Sequence, residues 1–132
     1  MSPFDIPNII EKIKSTNNEN IMITERGTSF GYNNLVNDFK SLEIMKRYEC
    51  PIIFDATHSV QEPGGLGSRS GGKREFVPIL STAAISIGVA GLFIETHEDP
   101  DNAPSDGPNM LHIKDLEGLV SKLLDFDNLA KL

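Results

Sequence analysis

The sequence is poor in cysteine and in basic charge, and it has no long apolar run. Cys50 is its one cysteine, so no disulfide can form within the chain. Its 12 Lys and Arg residues are outnumbered by 19 Asp and Glu, the net charge is -7, and the basic residues form no stripe. These features argue against a protein that binds the phosphates of a nucleic acid. No apolar segment approaches the roughly 18–20 residues of a membrane span.

The start of the chain has neither the basic region nor the apolar region of a secretory signal. Together these absences predict a cytoplasmic protein that binds neither membranes nor nucleic acids. A small anionic substrate is still compatible with the acidic composition, because one or two local cations suffice to bind it. The 132 residues, 39% of them hydrophobic, can form one domain or part of a larger one.

Apolar residues repeat with two different patterns along the chain. Spacings of three and four predict amphipathic helices, and these fall at 5–15, 35–48, 76–87 and 116–124. Short continuous apolar runs predict buried strands, and these fall at 21–27, 51–55 and 88–97. The predicted order is a helix followed by three pairs of a strand and a helix.

Strands that alternate with helices predict an α/β fold with a parallel sheet, because each helix returns the chain to the same edge. In such sheets ligands bind beyond the carboxyl ends of the strands. The carboxyl end of each predicted strand carries two polar residues: Glu25 and Arg26, Asp55 and His58, Glu95 and His97. One such ending would mean only that the chain leaves the core, but three at one edge predict a functional site.

His58, Glu95 and Asp106 are candidate ligands of a divalent metal with borderline preferences, such as Zn²⁺, Mn²⁺ or Fe²⁺. An imidazole and two carboxylates would leave coordination positions for water or substrate. The spacing of these residues fits no known motif, and a second interpretation stays open. In that alternative, His58 is a structural histidine that is held by hydrogen bonds to Asp55 and Thr57.

Arg26 follows a buried strand and precedes a loop that contains glycine, where a guanidinium could bind a phosphate or a carboxylate bidentately. The alternative is an ion pair with Glu25 or Asp55.

Five glycines lie between positions 64 and 72, which predicts a mobile loop over 62–73. Its cations, Arg69, Lys73 and Arg74, could bring it over an anionic ligand as a lid. The loop could equally be a surface connection. It matches neither a Walker A motif nor a dinucleotide-binding motif, which argues against a nucleotide site.

Four stretches resemble one enzyme family both in their sequences and in their order along the chain: "ITERGTSFGYNNL", "IIFDATHSVQEPGG", "SGGKREFVPIL" and "GLFIETHEDPDNAPSDGPN". The family is that of the 3-deoxy-D-manno-octulosonate 8-phosphate synthases, also called 2-dehydro-3-deoxyphosphooctonate aldolases. The chain is similar to the carboxyl-terminal half of these proteins over nearly its whole length.

The resemblance implies that residues 1–132 are the carboxyl-terminal part of one (β/α)₈ TIM-barrel domain, with about three parallel strands and four helices. It also implies the condensation of phosphoenolpyruvate with D-arabinose 5-phosphate, with release of phosphate, in the synthesis of the Kdo sugar of lipopolysaccharide. Members of the family are usually cytosolic homotetramers.

The resemblance assigns roles to individual residues. Arg26 would bind the phosphate of phosphoenolpyruvate, and Gln61 would lie beside the arabinose phosphate. His58 would be both a catalytic residue and a metal ligand, with Glu95 and Asp106 as further metal ligands. The glycine loop is similar to the mobile active-site loop of the family.

A TIM barrel needs eight strands and about 250 residues, and only three strands are predicted here. We therefore expect the chain to associate with itself or with an amino-terminal half-barrel, and to have no synthase activity alone. Two alternatives are a half-barrel that binds phosphate or oligomerises without catalysis, and the related 3-deoxy-D-arabino-heptulosonate 7-phosphate synthase.

Overall fold

The computed structural model describes residues 1–65, 67 and 71–132. Within them, the α-helices are α1 (Ile6–Lys14), α2 (Phe39–Lys46), α3 (Val77–Ile87) and α4 (Ile113–Ala130). The strands are β1 (Ile23–Glu25), β2 (Thr28–Ser29), β3 (Leu35–Val36), β4 (Ile52–Asp55), β5 (Gln61–Glu62), β6 (Gly71–Gly72), β7 (Gly91–Phe93), β8 (Thr96–His97) and β9 (Leu111–His112). Single 3-10 turns occur at Pro3–Asp5, His58–Val60, Arg74–Phe76 and Pro100–Asn102.

Strands β1, β4 and β7 form a parallel sheet in the order β1-β4-β7. In this register Ile23 pairs with Ile52, and Asp55 pairs with Phe93. The other strands form two-residue pairs in the connecting loops. The α/β fold predicted from the sequence, with three parallel strands and four helices, is confirmed for the described residues.

The helices cover one face of this sheet. Ile52 and Phe54 project from β4 into the helical layer and are almost completely buried. The ring of Phe54 packs against that of Phe39 in α2, with centroids 5.7 Å apart. Further fully buried side chains of this core are Leu42, Val77, Ala84 and Val89.

The opposite face of the sheet is open. The register places Thr24, Ile53 and Gly91 side by side on this face. Thr24 is exposed, and Phe93, at the end of the same face, is 44% exposed. At the β7 edge, a groove of about 350 Å³ is lined mainly by apolar side chains, among them Ile94 of the following segment and residues of α4. Among the residues that the structure describes, the three strands therefore have two open edges and one uncovered face.

The elements differ in extent from those predicted; α4, for example, runs over Ile113–Ala130 rather than 116–124, and β7 over Gly91–Phe93 rather than 88–97. Helix α2 begins at Phe39 rather than at residue 35, because Leu35 pairs with Ser29 in a short antiparallel hairpin. The side chain of Asp38 then caps the helix by accepting from the N–H of Lys40. In the glycine loop, which was predicted without strands, β5 and β6 form a short antiparallel pair.

Helix α3 has a proline in its first turn and is capped by Gly88, whose φ of 80° lies in the left-handed region that favours glycine. None of the helices within the described ranges has both the length and the apolar character needed to cross a bilayer.

Candidate metal and substrate site

The carboxyl ends of the three parallel strands lie at one edge of the sheet. Glu25 pairs with Phe54, so the next residues along the two strands, Arg26 and Asp55, lie beside each other, and Asp55 in turn pairs with Phe93. The polar residues that follow the strands therefore emerge from a common edge, as the parallel topology predicts.

His58 is fixed by the aspartate at the end of β4. Its Nδ1 lies 2.8 Å from Oδ2 of Asp55, and its backbone N–H donates to Oδ1 of the same carboxylate at 2.9 Å. The ring of Phe93 lies beside the imidazole, with centroids 5.9 Å apart. With the Nδ1 proton directed to the carboxylate, Nε2 is the nitrogen that can accept from a ligand or bind a metal.

Glu95 lies opposite this free nitrogen. Oε1 of Glu95 is 3.8 Å from Nε2 of His58. The backbone N–H of Glu95 donates to Oγ1 of Thr57 at 2.7 Å, and Thr57 is completely buried. This hydrogen bond ties the segment after β7 to the turn that carries His58.

Asp106 reaches the same place from a loop. Its Oδ1 accepts from Nε2 of Gln61 at 3.1 Å, and its φ of 53° is unusual for a residue with a side chain. The loop returns beside the strand it left, because the N–H of Leu111 donates to the carbonyl of Glu95 at 3.1 Å. Strands β8 and β9 then pair in parallel.

His58, Glu95 and Asp106 could together hold a metal ion. One potential ligand atom from each residue lies within 4.8 Å of the others, and all three side chains are partly buried. The imidazole and the two carboxylates suit a divalent ion with borderline preferences. Asp55 hydrogen-bonds the other ring nitrogen, as second-sphere carboxylates commonly do for metal-binding histidines. The hydrogen bond to Asp55 that a structural histidine would need is thus present, but it also directs Nε2 towards the two acids.

The surroundings of Arg26 do not include the residues of this cluster. Its side chain is exposed and lines a separate hollow of about 290 Å³ that also includes Thr24 and Met45. Within the described ranges, Arg26 forms no ion pair with Glu25 or Asp55. Its predicted role in binding phosphate therefore depends on its position at the sheet edge alone.

The sequence profile of the DAHP synthetase I family matches residues 1–131. The chain belongs to the DAHP synthetase I family. It is 56% identical over 131 residues to a protein of Bartonella tribocorum and 59% identical over 132 residues to one of Bradyrhizobium diazoefficiens. A third relative, from Agrobacterium fabrum, is 59% identical over 131 residues. All three bear the name 2-dehydro-3-deoxyphosphooctonate aldolase.

Each alignment covers 99% of this chain but only 46–47% of the relative. The chain therefore spans about half the length of the curated relatives that it matches, and it corresponds to their carboxyl-terminal half. The resemblance predicted from the four sequence stretches is confirmed.

In this member of the DAHP synthetase I family, the described part of the glycine loop is held at its base. Gln61 pairs with Gly72, and Nζ of Lys73 lies 2.7 Å from Oε1 of Glu62. The hydrogen bond to Glu62 and the negative charge of its carboxylate raise the pKa of Lys73. Arg69, the third cation of the predicted lid, lies outside the described residues.

The sequence patterns identify the supporting residues of this family member only in part. Thr57 is predicted as a partner of His58, but its hydroxyl instead accepts from the backbone N–H of Glu95. Asn109 is 1% exposed and packs against Gly72, yet no sequence pattern identified it. The spacing of Asp55 three residues before His58 was the one local signal, since an aspartate often accepts from an N–H in the turn that follows it.

Proposed function

We propose that this chain forms the carboxyl-terminal part of a TIM barrel that condenses phosphoenolpyruvate with D-arabinose 5-phosphate. The products are 3-deoxy-D-manno-octulosonate 8-phosphate and phosphate, in the Kdo branch of lipopolysaccharide synthesis, and the compartment is the cytoplasm. The observation that carries the proposal is the cluster of His58, Glu95 and Asp106 at the carboxyl edge of a parallel sheet. It occurs in a chain 56–59% identical to proteins named for this product.

The open sheet supports a partner that completes the barrel. β1 and β7 are edge strands, and the groove at the β7 edge exposes apolar side chains. Unpaired strand edges and apolar surface favour association. We propose that an amino-terminal half-barrel pairs with these edges, and that a second copy of the chain is the alternative partner. The 132 residues alone are expected to be inactive.

The proposed cofactor is a divalent ion, Zn²⁺, Mn²⁺ or Fe²⁺, held by His58, Glu95 and Asp106. When bound, such an ion would supply positive charge that polarises a substrate oxygen. The chain itself contributes the geometry: Asp55 sets the orientation of His58, and Thr57 fixes the backbone of Glu95.

The remaining roles concern the two substrates. Arg26, exposed beyond β1, would offset the phosphate charge of phosphoenolpyruvate. Gln61, already bonded to Asp106, would lie beside the arabinose phosphate. In the proposed reaction, C3 of phosphoenolpyruvate bonds to the aldehyde carbon, water adds at C2, and the tetrahedral intermediate expels phosphate. No covalent nucleophile is required.

The test is phosphate release from phosphoenolpyruvate and arabinose 5-phosphate. The chain would be assayed alone and as a hybrid with the amino-terminal half of the Bradyrhizobium relative. The hybrid is expected to release phosphate, and the chain alone is not. A folded hybrid that binds Co²⁺ but releases no phosphate would contradict the proposed reaction and favour a non-catalytic half-barrel. Activity of the chain alone would contradict the need for a partner.

The name of the matched family supports a second candidate reaction, the synthesis of 3-deoxy-D-arabino-heptulosonate 7-phosphate. A seven-carbon product requires a four-carbon sugar phosphate, so erythrose 4-phosphate would replace arabinose 5-phosphate. The same hybrid would be assayed with both sugars. We expect arabinose 5-phosphate to be preferred, and the opposite preference would favour the second reaction.

A further inference from the structure

Asp106 sits in a backbone conformation that the rest of the loop must hold. Its φ of 53° costs free energy for a residue with a side chain, and such conformations persist only where neighbouring contacts impose them. The loop itself supplies two contacts, because the N–H groups of Asn109 and Met110 donate to the carbonyl of Asp106 at 2.8 and 3.2 Å. The two carbonyls that come next, those of Gly107 and Pro108, also accept hydrogen bonds from outside the loop.

Both of these carbonyls are bound by Arg74. Its backbone N–H donates to the carbonyl of Pro108 at 3.0 Å, and its Nη2 donates to the carbonyl of Gly107 at 2.8 Å. Nη2 also lies 2.6 Å from Oδ1 of Asp101, and Nη1 lies 3.5 Å from Nε2 of His112. Arg74 thus contacts the loop at three places: just after Asp106, near the start of the loop at Asp101, and beyond its end at His112.

The burial of these partners indicates which bond matters most. The side chain of Arg74 is 24% exposed, whereas that of Asp101 is 74% exposed. An ion pair with so exposed a carboxylate contributes little. The bond to Gly107 lies in a tighter place, since a Cβ atom at position 107 would be 2.3 Å from the carbonyl oxygen of Pro100.

Arg74 also connects this loop to the segment that carries His58. The N–H of Lys73, its neighbour, donates to the carbonyl of Val60 at 3.1 Å, and Gly72 pairs with Gln61. The connection therefore runs from the turn after β4, through the base of the glycine loop, to the residues that follow Asp106.

We infer that Arg74 is a positioning residue that holds Asp106 at the distance from His58 and Glu95 that a divalent ion requires. The inference rests on the metal site proposed above. Among the described residues, Arg74 forms no hydrogen bond with the side chains of the three proposed ligands. Nη2 of its guanidinium donates to both Gly107 and Asp101 while Nη1 lies beside His112, and the single nitrogen of a lysine cannot occupy both places of this planar group.

The test is a Co²⁺ titration of the full chain, followed by the visible absorption of the ion. Arg74→Lys keeps the charge and the backbone bond to Pro108 but loses the planar guanidinium that reaches Gly107, Asp101 and His112 together, and we expect its Co²⁺ affinity to fall about 10–100-fold. Arg47→Lys, at the exposed end of α2, is the matched control and should leave affinity unchanged. Asp101→Asn should change affinity by less than about threefold.

A thermodynamic cycle separates positioning from general loss of structure. In an Asp106→Ala background, Arg74→Lys should have no further effect on Co²⁺ affinity, because the ligand that it positions is gone. An equal loss in both backgrounds, or wild-type affinity of Arg74→Lys, would overturn the inference. Thermal unfolding followed by circular dichroism shows whether each variant is folded, and Arg74→Gln replaces Arg74→Lys if that variant is not.

His58→Ala shows whether the underlying site exists. If His58→Ala binds Co²⁺ as tightly as the wild type, the metal site itself is wrong, and the inference about Arg74 falls with it. If His58→Ala loses Co²⁺ while Arg74→Lys retains it, only the role of Arg74 is wrong.

Discussion

Replacing Gly72 with alanine tests how closely the glycine loop packs against the loop that carries Asp106. A Cβ atom at position 72 would lie 1.5 Å from Oδ1 and 2.6 Å from Cγ of Asn109. Asn109 is 1% exposed, so its amide has no open space to move into. We expect Gly72→Ala to lower the free energy of unfolding by about 1–3 kcal/mol, the usual cost of adding a methyl group to a filled interior.

The clash has a specific partner, so the cost should depend on that partner. In the described structure, Nδ2 and Oδ1 of Asn109 have no hydrogen-bond partner, and Asn109→Ala removes both atoms together with the steric conflict. In the Asn109→Ala background, Gly72→Ala should cost less than about half of its cost in the wild type, because neighbouring substitutions are not additive.

Urea denaturation followed by circular dichroism measures these free energies. Gly118→Ala is a matched control, because Gly118 lies within α4 and nothing is within 4 Å of the added methyl group. That substitution should stabilise the protein by about 0.5–1 kcal/mol through helix propensity. Equal costs of Gly72→Ala in the wild-type and Asn109→Ala backgrounds would refute the packing argument.

Three further predictions follow from individual contacts. Asp55→Asn removes the carboxylate that holds Nδ1 of His58 and should weaken Co²⁺ binding about 10–100-fold in titration, and an unchanged Kd would contradict the orienting role. Phe54→Ala deletes a completely buried ring and should cost about 3–5 kcal/mol in urea denaturation, whereas a loss below about 1 kcal/mol would contradict its place in the core. Glu62 raises the pKa of Lys73, so the stabilisation from this pair is complete below the ordinary lysine pKa of about 10.4 and is lost as pH rises through the raised value. The difference in melting temperature between wild type and Lys73→Met should therefore shrink above about pH 10.5, and a difference that grows would contradict the direction of the shift.

The sequence predicted the strand ends well because they follow from a simple rule. A buried parallel strand is apolar throughout, so the first polar residues after it mark its carboxyl end. His58 and Glu95 follow neighbouring strands, β4 and β7, and parallel pairing alone brings their segments together. The local turn that orients His58 could also be anticipated, because Asp55 lies three residues before it.

The loops were harder to predict because their contacts join distant residues. Leu35 and Phe39 have helical spacing, but pairing of Leu35 with Ser29 removes it from the helix. The composition of the glycine loop predicts Arg74 as a cation for an anionic ligand, yet its guanidinium is hydrogen-bonded to Asp101 and Gly107, 27 and 33 residues away. Periodicity and local spacing carry no information about such pairs, which depend on how the loops pack over the sheet.

In the proposed enzyme, metal binding and catalysis depend on different contacts. The bonds that fix the three ligands come from Asp55, Thr57, Gln61 and Arg74, all within this chain, whereas the sheet itself is open at β1 and β7. Assembly of the ion site thus uses contacts already present, while a closed barrel needs strands from a partner. The chain alone should therefore bind Co²⁺ without releasing phosphate from the substrates. If it binds Co²⁺ only as the hybrid with a relative's amino-terminal half, then the supports within this chain are insufficient, and the partner must shape the ion site as well as the barrel.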